Sequence, residues 1–308
     1  IFSYSKYFNE RTPDIILVSM YMEAVILIIA RLLSDHKPKI IINGSAHFSS
    51  IIQNPDSNVI RFLLKPLAKI FYPLGDFFIC QSNGLKNDLE DVLKLSPLKL
   101  STIYNAILEK NFDYSVPKKL SHSWFHSSLS NSFKLIIAGR LDSQKGIVEF
   151  IDIFKKLKQH ENIQLLIMGE GDDKQRIEEQ IRINYLENDV EIIPFQNNFH
   201  AFIQRSDLMV VNSFYEGLNN MIVHALATGT SVISRNCPSG PSEILENGKF
   251  GRLVALGDDQ GMIEMIKDEI RAPAFKKEEL IERSKDFSIE VCGDAYKKIF
   301  QKCVDGKK

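Results

Sequence analysis

Leu135-Ile136-Ile137-Ala138-Gly139-Arg140-Leu141-Asp142-Ser143-Gln144-Lys145-Gly146 decides the fold. Its first four residues are apolar without alternation, as in a strand covered on both faces. Gly139 permits a tight turn, and the stretch Ile147–Leu157 then has the apolar spacing of an amphipathic helix. Between strand and helix stand two cations, Arg140 and Lys145. Open α/β sheets bind ligands outside the carboxyl ends of their strands. An arginine fork there can hold phosphate oxygens, and a lysine adds a point charge. A solvated turn with incidental cations is the plain alternative.

The same unit recurs outward from this stretch. Short apolar runs at Ile15–Val18, Lys39–Ile42, Phe77–Cys80, Leu100–Tyr104, Gln164–Met168, Val190–Ile193, Leu208–Val211 and Ser231–Ser234 read as further strands. Most intervals between them are long enough for a crossover helix, which predicts an α/β fold with parallel sheets. The chain has 308 residues, and at about 150 residues per domain that suggests two domains. The 44% hydrophobic and 25% charged fractions are those of an ordinary globular chain. Lys+Arg 38 against Asp+Glu 39 leaves a formal charge of −1, which argues against nucleic acid as a partner.

Cys80, Cys237, Cys292 and Cys303 form no C-x-x-C pair, so reduced thiols in a cytoplasmic setting are expected rather than zinc or disulfides. No signal peptide is read at the start. Ile15 to Leu33 is apolar but is broken by Ser19, Glu23 and Arg31. It divides into a strand and a helix from Met22 rather than reading as one membrane span.

A connection over 107–132, with weak periodicity from Ser115 to Ser132, separates the two halves. The domains expected are 1–112, 113–274 and 275–308, the last a helical segment crossing back to the first domain. Only about four strands precede the connection, against the six or so of a doubly wound domain. The start, Ile1 rather than Met, therefore reads as truncated.

Three further loops fall at strand ends. Met168-Gly169-Glu170-Gly171-Asp172-Asp173 holds a G-x-G and lacks the third glycine of a dinucleotide fingerprint. Its two adjacent acids suit a helix N-terminus better than a metal, and no metal is expected. Val211 to Gly229 reads as strand, loop with Glu216 and Gly217, then a helix capped by Asn219 or Asn220. The N–H groups of that first turn form an anion site. His224 lies four residues after Asn220 on the same helix face, so Glu216 and His224 bracket a small volume. A packed helix histidine and a solvated loop acid are the simpler readings of the two. Asn236-Cys237-Pro238-Ser239-Gly240-Pro241-Ser242-Glu243 forms a rigid turn with Glu243 near a helix start.

Together these loops resemble the family-4 retaining glycosyltransferases of the GT-B fold. The resemblance rests on Gly139, Arg140, Lys145 and Gly146, on Gly169 and Gly171, on Glu216-Gly217-Leu218, and on the turn from Cys237 through Gly251-Arg252-Leu253-Val254. Asp76 to Leu85 and Ile103-Tyr104-Asn105 match the first domain, and coverage is nearly the whole chain. Two departures stand out. The second position of the family's Glu-x7-Glu pair, which in relatives holds the donor ribose, is His224. The Gly-rich acceptor-side loop, expected before Ile1, is absent.

The resemblance implies two Rossmann-like domains facing a cleft, and transfer of a sugar from a nucleotide-diphosphate donor with retention of configuration. Uridine diphosphate is the expected nucleotide, without metal or other cofactor. Glu216, Arg140, Lys145 and His47 are the implied catalytic residues, His47 facing the donor sugar across the cleft. Donor contacts are assigned to Gly139, Arg140, Lys145, Gly169, Gly171, Phe195, Gly217, Leu218, Asn219, Asn220 and His224. The acceptor expected is a glycan or lipid-linked sugar at the inner face of the cytoplasmic membrane. Arg61, Lys65 and Lys69 recur every four residues among Phe62, Leu63, Leu64, Leu67, Ile70 and Phe71, as in helices that lie on membranes, although a core-packed helix with a solvated edge shows the same pattern. A nucleotide-binding module without turnover and a nucleotide-sugar epimerase on the same fold remain alternatives.

Overall fold

A computed structural model describes residues 1–53, 59–110, 112, 122 and 131–305, with backbone only over 59–62. Two parallel sheets organise them. The first comprises β1 (Ile15–Val18), β2 (Lys39–Gly44), β3 (Phe77–Cys80) and β4 (Leu100–Thr102) in that spatial order. The second comprises β5 (Phe133–Ala138), β6 (Ile163–Met168), β7 (Val190–Ile193), β8 (Leu208–Val211), β9 (Ser231–Arg235) and β10 (Arg252–Val254). Its spatial order is β10-β9-β8-β5-β6-β7. This is the doubly wound order, which reverses direction between β5 and β8.

The unalternated runs are explained by burial on both faces. Ile136, Leu166, Met209 and Val211 enter one core with the helices Phe199–Gln204 and Asn220–Ala227. Leu135, Ile137, Leu165, Ile167, Leu208 and Val210 enter the other, against the helices Ile147–Lys158, Lys174–Ile183 and Asp259–Arg271. Successive residues point to opposite faces, so both parities must be apolar. In the helix Ile147–Lys158, Ile147, Phe150, Ile151, Phe154 and Leu157 form the buried stripe. Glu149 in its first turn and three lysines in its last oppose the helix dipole favourably.

Besides strand ends that run a residue or two longer, as β2 does to Gly44 and β5 from Phe133, the strand readings differ from the fold at β10 and β4. β10 was not anticipated: three residues beginning with Arg252 sit on a sheet edge, too short to show a period. β4 ends at Thr102 rather than Tyr104 because the chain leaves the sheet there, and Tyr104 packs against Phe287 with ring centroids 5.2 Å apart. The connection expected over 107–132 lies largely outside the described residues.

Returning, the chain meets its own outward path. Leu108 and Ser288 form a parallel bridge. Ile107 N–H donates to the Phe287 carbonyl at 2.8 Å, and Ile289 N–H to the Leu108 carbonyl at 2.9 Å. The helix Ile289–Asp305 then lays Cys292, Ile299 and Cys303 against Ile41, Phe77 and Ile79 of the first sheet. All four cysteines are buried free thiols. No helix among the described residues is long and apolar enough to cross a membrane; 15–33 forms β1 and the helix Tyr21–Leu33.

Candidate active site

The reversal between β5 and β8 leaves a small cleft at their carboxyl ends. Ala138, Gly139, Arg140, Lys145, Asn212 and Asn219 line it. Gly146 starts the adjoining helix at φ +59°, where a Cβ would collide with the Asn212 carbonyl. Glycine thus serves both the left-handed turn and the close approach. Gly169 and Gly171 back this cleft: a Cβ on either would strike the backbone of Gly139 or Leu141. Leu141 N–H donates to the Glu170 carbonyl at 2.8 Å, so the two loops are held backbone to backbone.

Lys145 and Glu216 meet 71 residues apart. Lys145 Nζ donates to Glu216 Oε1 at 2.7 Å, with the two side chains 18% and 6% exposed. Asn219 Nδ2 donates to the same oxygen at 2.8 Å, and Gln144 Nε2 lies 3.4 Å from Oε2. A buried carboxylate requires such donors. Asn219 is the helix cap: it sits at φ 74° and accepts from Ile222 N–H at 3.4 Å. A left-handed backbone is a position asparagine tolerates well. Leu218 is buried beneath it. Arg140 is less anchored, 73% exposed and paired with Asp142 at 2.9 Å.

The first lobe reaches this constellation directly. A Cβ on Gly217 would overlap the Ser45 carbonyl, so the loop 45–47 rests on the Glu216-Gly217 turn. Asn105 Nδ2 donates to Asn220 Oδ1 at 3.0 Å across the same boundary. His47, 15% exposed, lies at the start of the helix Phe48–Gln53, its Nδ1 3.1 Å from Ser50 Oγ. Burial holds its pKa below the usual histidine range, against the raising effect of Asp88.

His224, which sequence spacing set with Glu216, turns its Nδ1 to Nε2 of His200 at 2.9 Å. Phe199 packs on both imidazoles and on Phe195, which is 47% exposed. Burial pushes both pKa values down to about 4, with each ring near the other adding to the effect at His224. The fold therefore gathers Gly139, Lys145, Glu216, Gly217 and Asn219 near the loop of His47, with Arg140 at the rim. The aromatic and imidazole group forms a second cluster.

Three contributors escaped sequence reasoning. His200 follows Phe199 with no spacing relation to His224. Asp88 reads as an ordinary helix acid. Glu243 lies in the first turn of the helix Pro241–Ile244, as expected, and what the sequence did not show is that its carboxylate also turns to another helix. It accepts from the N–H groups of Asn83 and Gly84 at 2.7 and 2.9 Å and from Tyr104 Oη at 3.3 Å. Tyr104 is pushed up to about 12 by burial and then by that charge.

Comparison with known proteins is consistent with this geometry. An N-acetylgalactosamine-N,N'-diacetylbacillosaminyl-diphospho-undecaprenol 4-alpha-N-acetylgalactosaminyltransferase of Campylobacter jejuni is 27% identical over 277 residues, covering 88% of this chain and 72% of that protein. The lipopolysaccharide outer core galactosyltransferase WaaB in its apo form superposes with TM-score 0.74 at 19% identity, over 100% of this chain and 79% of that one. Anabaena HepE in complex with UDP superposes with TM-score 0.77 at 18% identity, over 97% and 81%. Residues 121–287 match the family of glycosyl transferases group 1. With that match spanning more than half its length, and with its two parallel sheets in the GT-B arrangement, the chain belongs to the glycosyl transferases group 1 family.

Proposed function

We propose that the chain transfers a sugar from a UDP-sugar to a glycan or lipid-linked acceptor in surface polysaccharide synthesis, with retention of configuration. The observation that carries this is the Lys145–Glu216–Asn219 constellation at the reversal point of the second sheet, beside the first turn of a helix. As the sugar C–O bond stretches, negative charge grows on the leaving diphosphate. Lys145, Arg140 and the N–H groups of the first helical turn stand where they stabilise that charge. Glu216, held by three donors, orients the sugar hydroxyls. His47 meets the sugar from the first lobe. Phe195 and the His200–His224 pair offer a ring surface and neutral hydrogen-bonding nitrogens to the nucleoside. Domain limits at 112 and 274 are part of this reading, the second domain holding the donor.

Similar proteins support the substrate classes. HepE was solved with UDP, and the Campylobacter relative is named for a diphospho-undecaprenol acceptor. Metal independence rests on the sequence, where Asp172 and Asp173 are adjacent rather than spaced as D-x-D. Work on a lipid-linked acceptor places the chain at the cytoplasmic membrane face. The helix Val59–Phe71 supports this: Lys65, Lys69, Leu63 and Ile70 are exposed, while Leu64 and Ala68 pack inward. The side chain of Arg61 lies outside the described residues.

The test is UDP calorimetry combined with product analysis over a panel of UDP-hexoses and UDP-N-acetylhexosamines. Formation of an α-glycoside from an α-linked donor is the expected result. UDP binding without turnover would favour a non-catalytic module, and sugar interconversion without acceptor would favour an epimerase. Absence of UDP affinity would remove the donor site itself.

A further inference from the structure

Asp88 sits in the helix Asn83–Leu93, buried, beneath the loop that carries His47. Its Oδ2 accepts from Ser49 N–H at 2.9 Å, and its Oδ1 accepts from Ser49 Oγ. The same Oδ2 lies 3.6 Å from His47 Nδ1. Ser50 Oγ lies 3.1 Å from that nitrogen, and among the described residues Nε2 has no hydrogen-bond partner.

A neutral imidazole has two forms here. With the proton on Nδ1, the N–H points to Ser50 Oγ and faces the Asp88 carboxylate, an attractive arrangement. With the proton on Nε2, the Ser50 hydroxyl can donate to Nδ1 instead, but the bare lone pair there faces the same carboxylate, which is repulsive, so the Asp88 charge is what separates the two forms. The second nitrogen takes whatever state the first leaves to it. We propose that Asp88 is a positioning residue that holds His47 in the Nδ1–H form, so that Nε2 accepts a hydrogen bond from a hydroxyl group of the donor sugar. This deepens the donor-site reading above and rests on it. An acceptor nitrogen favours a hydroxyl over a deoxy or methoxy group at that sugar position, because only the hydroxyl brings the missing proton.

The ring state is read by long-range 1H–15N correlation on the full chain near neutral pH, with His47→Gln assigning the signals. Wild type is expected in the Nδ1–H form. Asp88→Asn keeps an oxygen for Ser49 N–H, removes the charge, and is expected to shift the ring toward Nε2–H. Asp88→Glu, which retains the charge, is expected to keep the wild-type form. Turnover of whichever UDP-sugar of the panel is accepted should fall about tenfold in Asp88→Asn, the worth of one hydrogen bond. A wild-type ring in the Nε2–H form overturns the proposal, as does an Asp88→Asn ring unchanged from wild type. If His47→Gln turns over donor like wild type, the placement of His47 at the sugar is wrong and the proposal goes with it. If the ring state fails while His47→Gln is impaired, the proposal alone falls.

Discussion

Glu243 of the second lobe caps a helix of the first through Gly84. The four N–H groups at a helix start have no partner within the helix. In the helix Asn83–Leu93, Ser82 Oγ accepts from Leu85 N–H at 3.2 Å, and the groups of Asn83 and Gly84 go to the Glu243 carboxylate. Arg283 holds the same turn by donating to the carbonyls of Glu243 and Ile244 at 2.8 and 2.9 Å. A Cβ on Gly84 would crowd Ser239, so the lobes touch at this point.

Glu243→Ala should therefore loosen the closed arrangement of the lobes by about 2 kcal/mol, the worth of a charge-assisted hydrogen bond. Small-angle scattering should report a larger radius of gyration, and amide exchange at Asn83 and Gly84 should quicken. Glu243→Gln, which can satisfy one N–H group, should fall between. Unchanged scattering and exchange in Glu243→Ala would show that the contact does not hold the lobes.

Lys145→Ala should weaken UDP binding by roughly 10- to 100-fold, as one or two charge-assisted bonds are lost. It should also destabilise the fold, because Glu216 stays buried with one donor fewer. Lys145→Ala with Glu216→Gln should recover part of the stability and none of the affinity. Calorimetry and denaturant titration separate the two effects. Wild-type UDP affinity in Lys145→Ala would place the diphosphate elsewhere.

The His200–His224 pair makes stability depend on pH. Both rings are held near 4 in the fold, below the ordinary histidine value of about 6.5 that the unfolded chain retains. Below about pH 6.5 the unfolded state binds more protons, so stability drops as pH falls from 7 toward 4 and is fully present above that range. A His200→Asn, His224→Asn double variant should lose less stability than wild type between pH 7 and 5. Equal losses in urea titrations at the two pH values would show that the pair is not the source.

Replacing Lys65 and Lys69 with glutamate should reduce sedimentation with anionic vesicles. Each cation near such a surface contributes about 1 kcal/mol at modest salt, so the loss should shrink as salt rises. Binding to neutral vesicles should be small in both proteins. Equal sedimentation of variant and wild type would discard this face.

What the sequence revealed was mostly what a single segment can encode. A strand buried on both faces leaves an unbroken apolar run, so nine strand positions could be read, whereas Arg252–Val254 has neither the length nor the composition to announce itself. Gly139, Lys145, Glu216 and the Asn219 cap sit at strand ends and helix starts, which composition and spacing mark. The pairings among them are products of tertiary approach. No spacing joins Lys145 to Glu216, or His200 to His224, or Asp88 to the His47 loop. Glu243 was read correctly at a helix start, but its bonds to a second helix, near only in space, could not be read from the segment.

The outward and returning passages of the chain run side by side at Leu108 and Ser288, joined like two leaves on one pin. A pair of connections bonded in register resists sliding of one lobe over the other and leaves swinging about the shared line as the easy motion. Parting the lobes about that line would break the Gly217–Ser45 contact and draw the Glu216 turn away from the loop of His47, while the bridge keeps the two halves in one alignment.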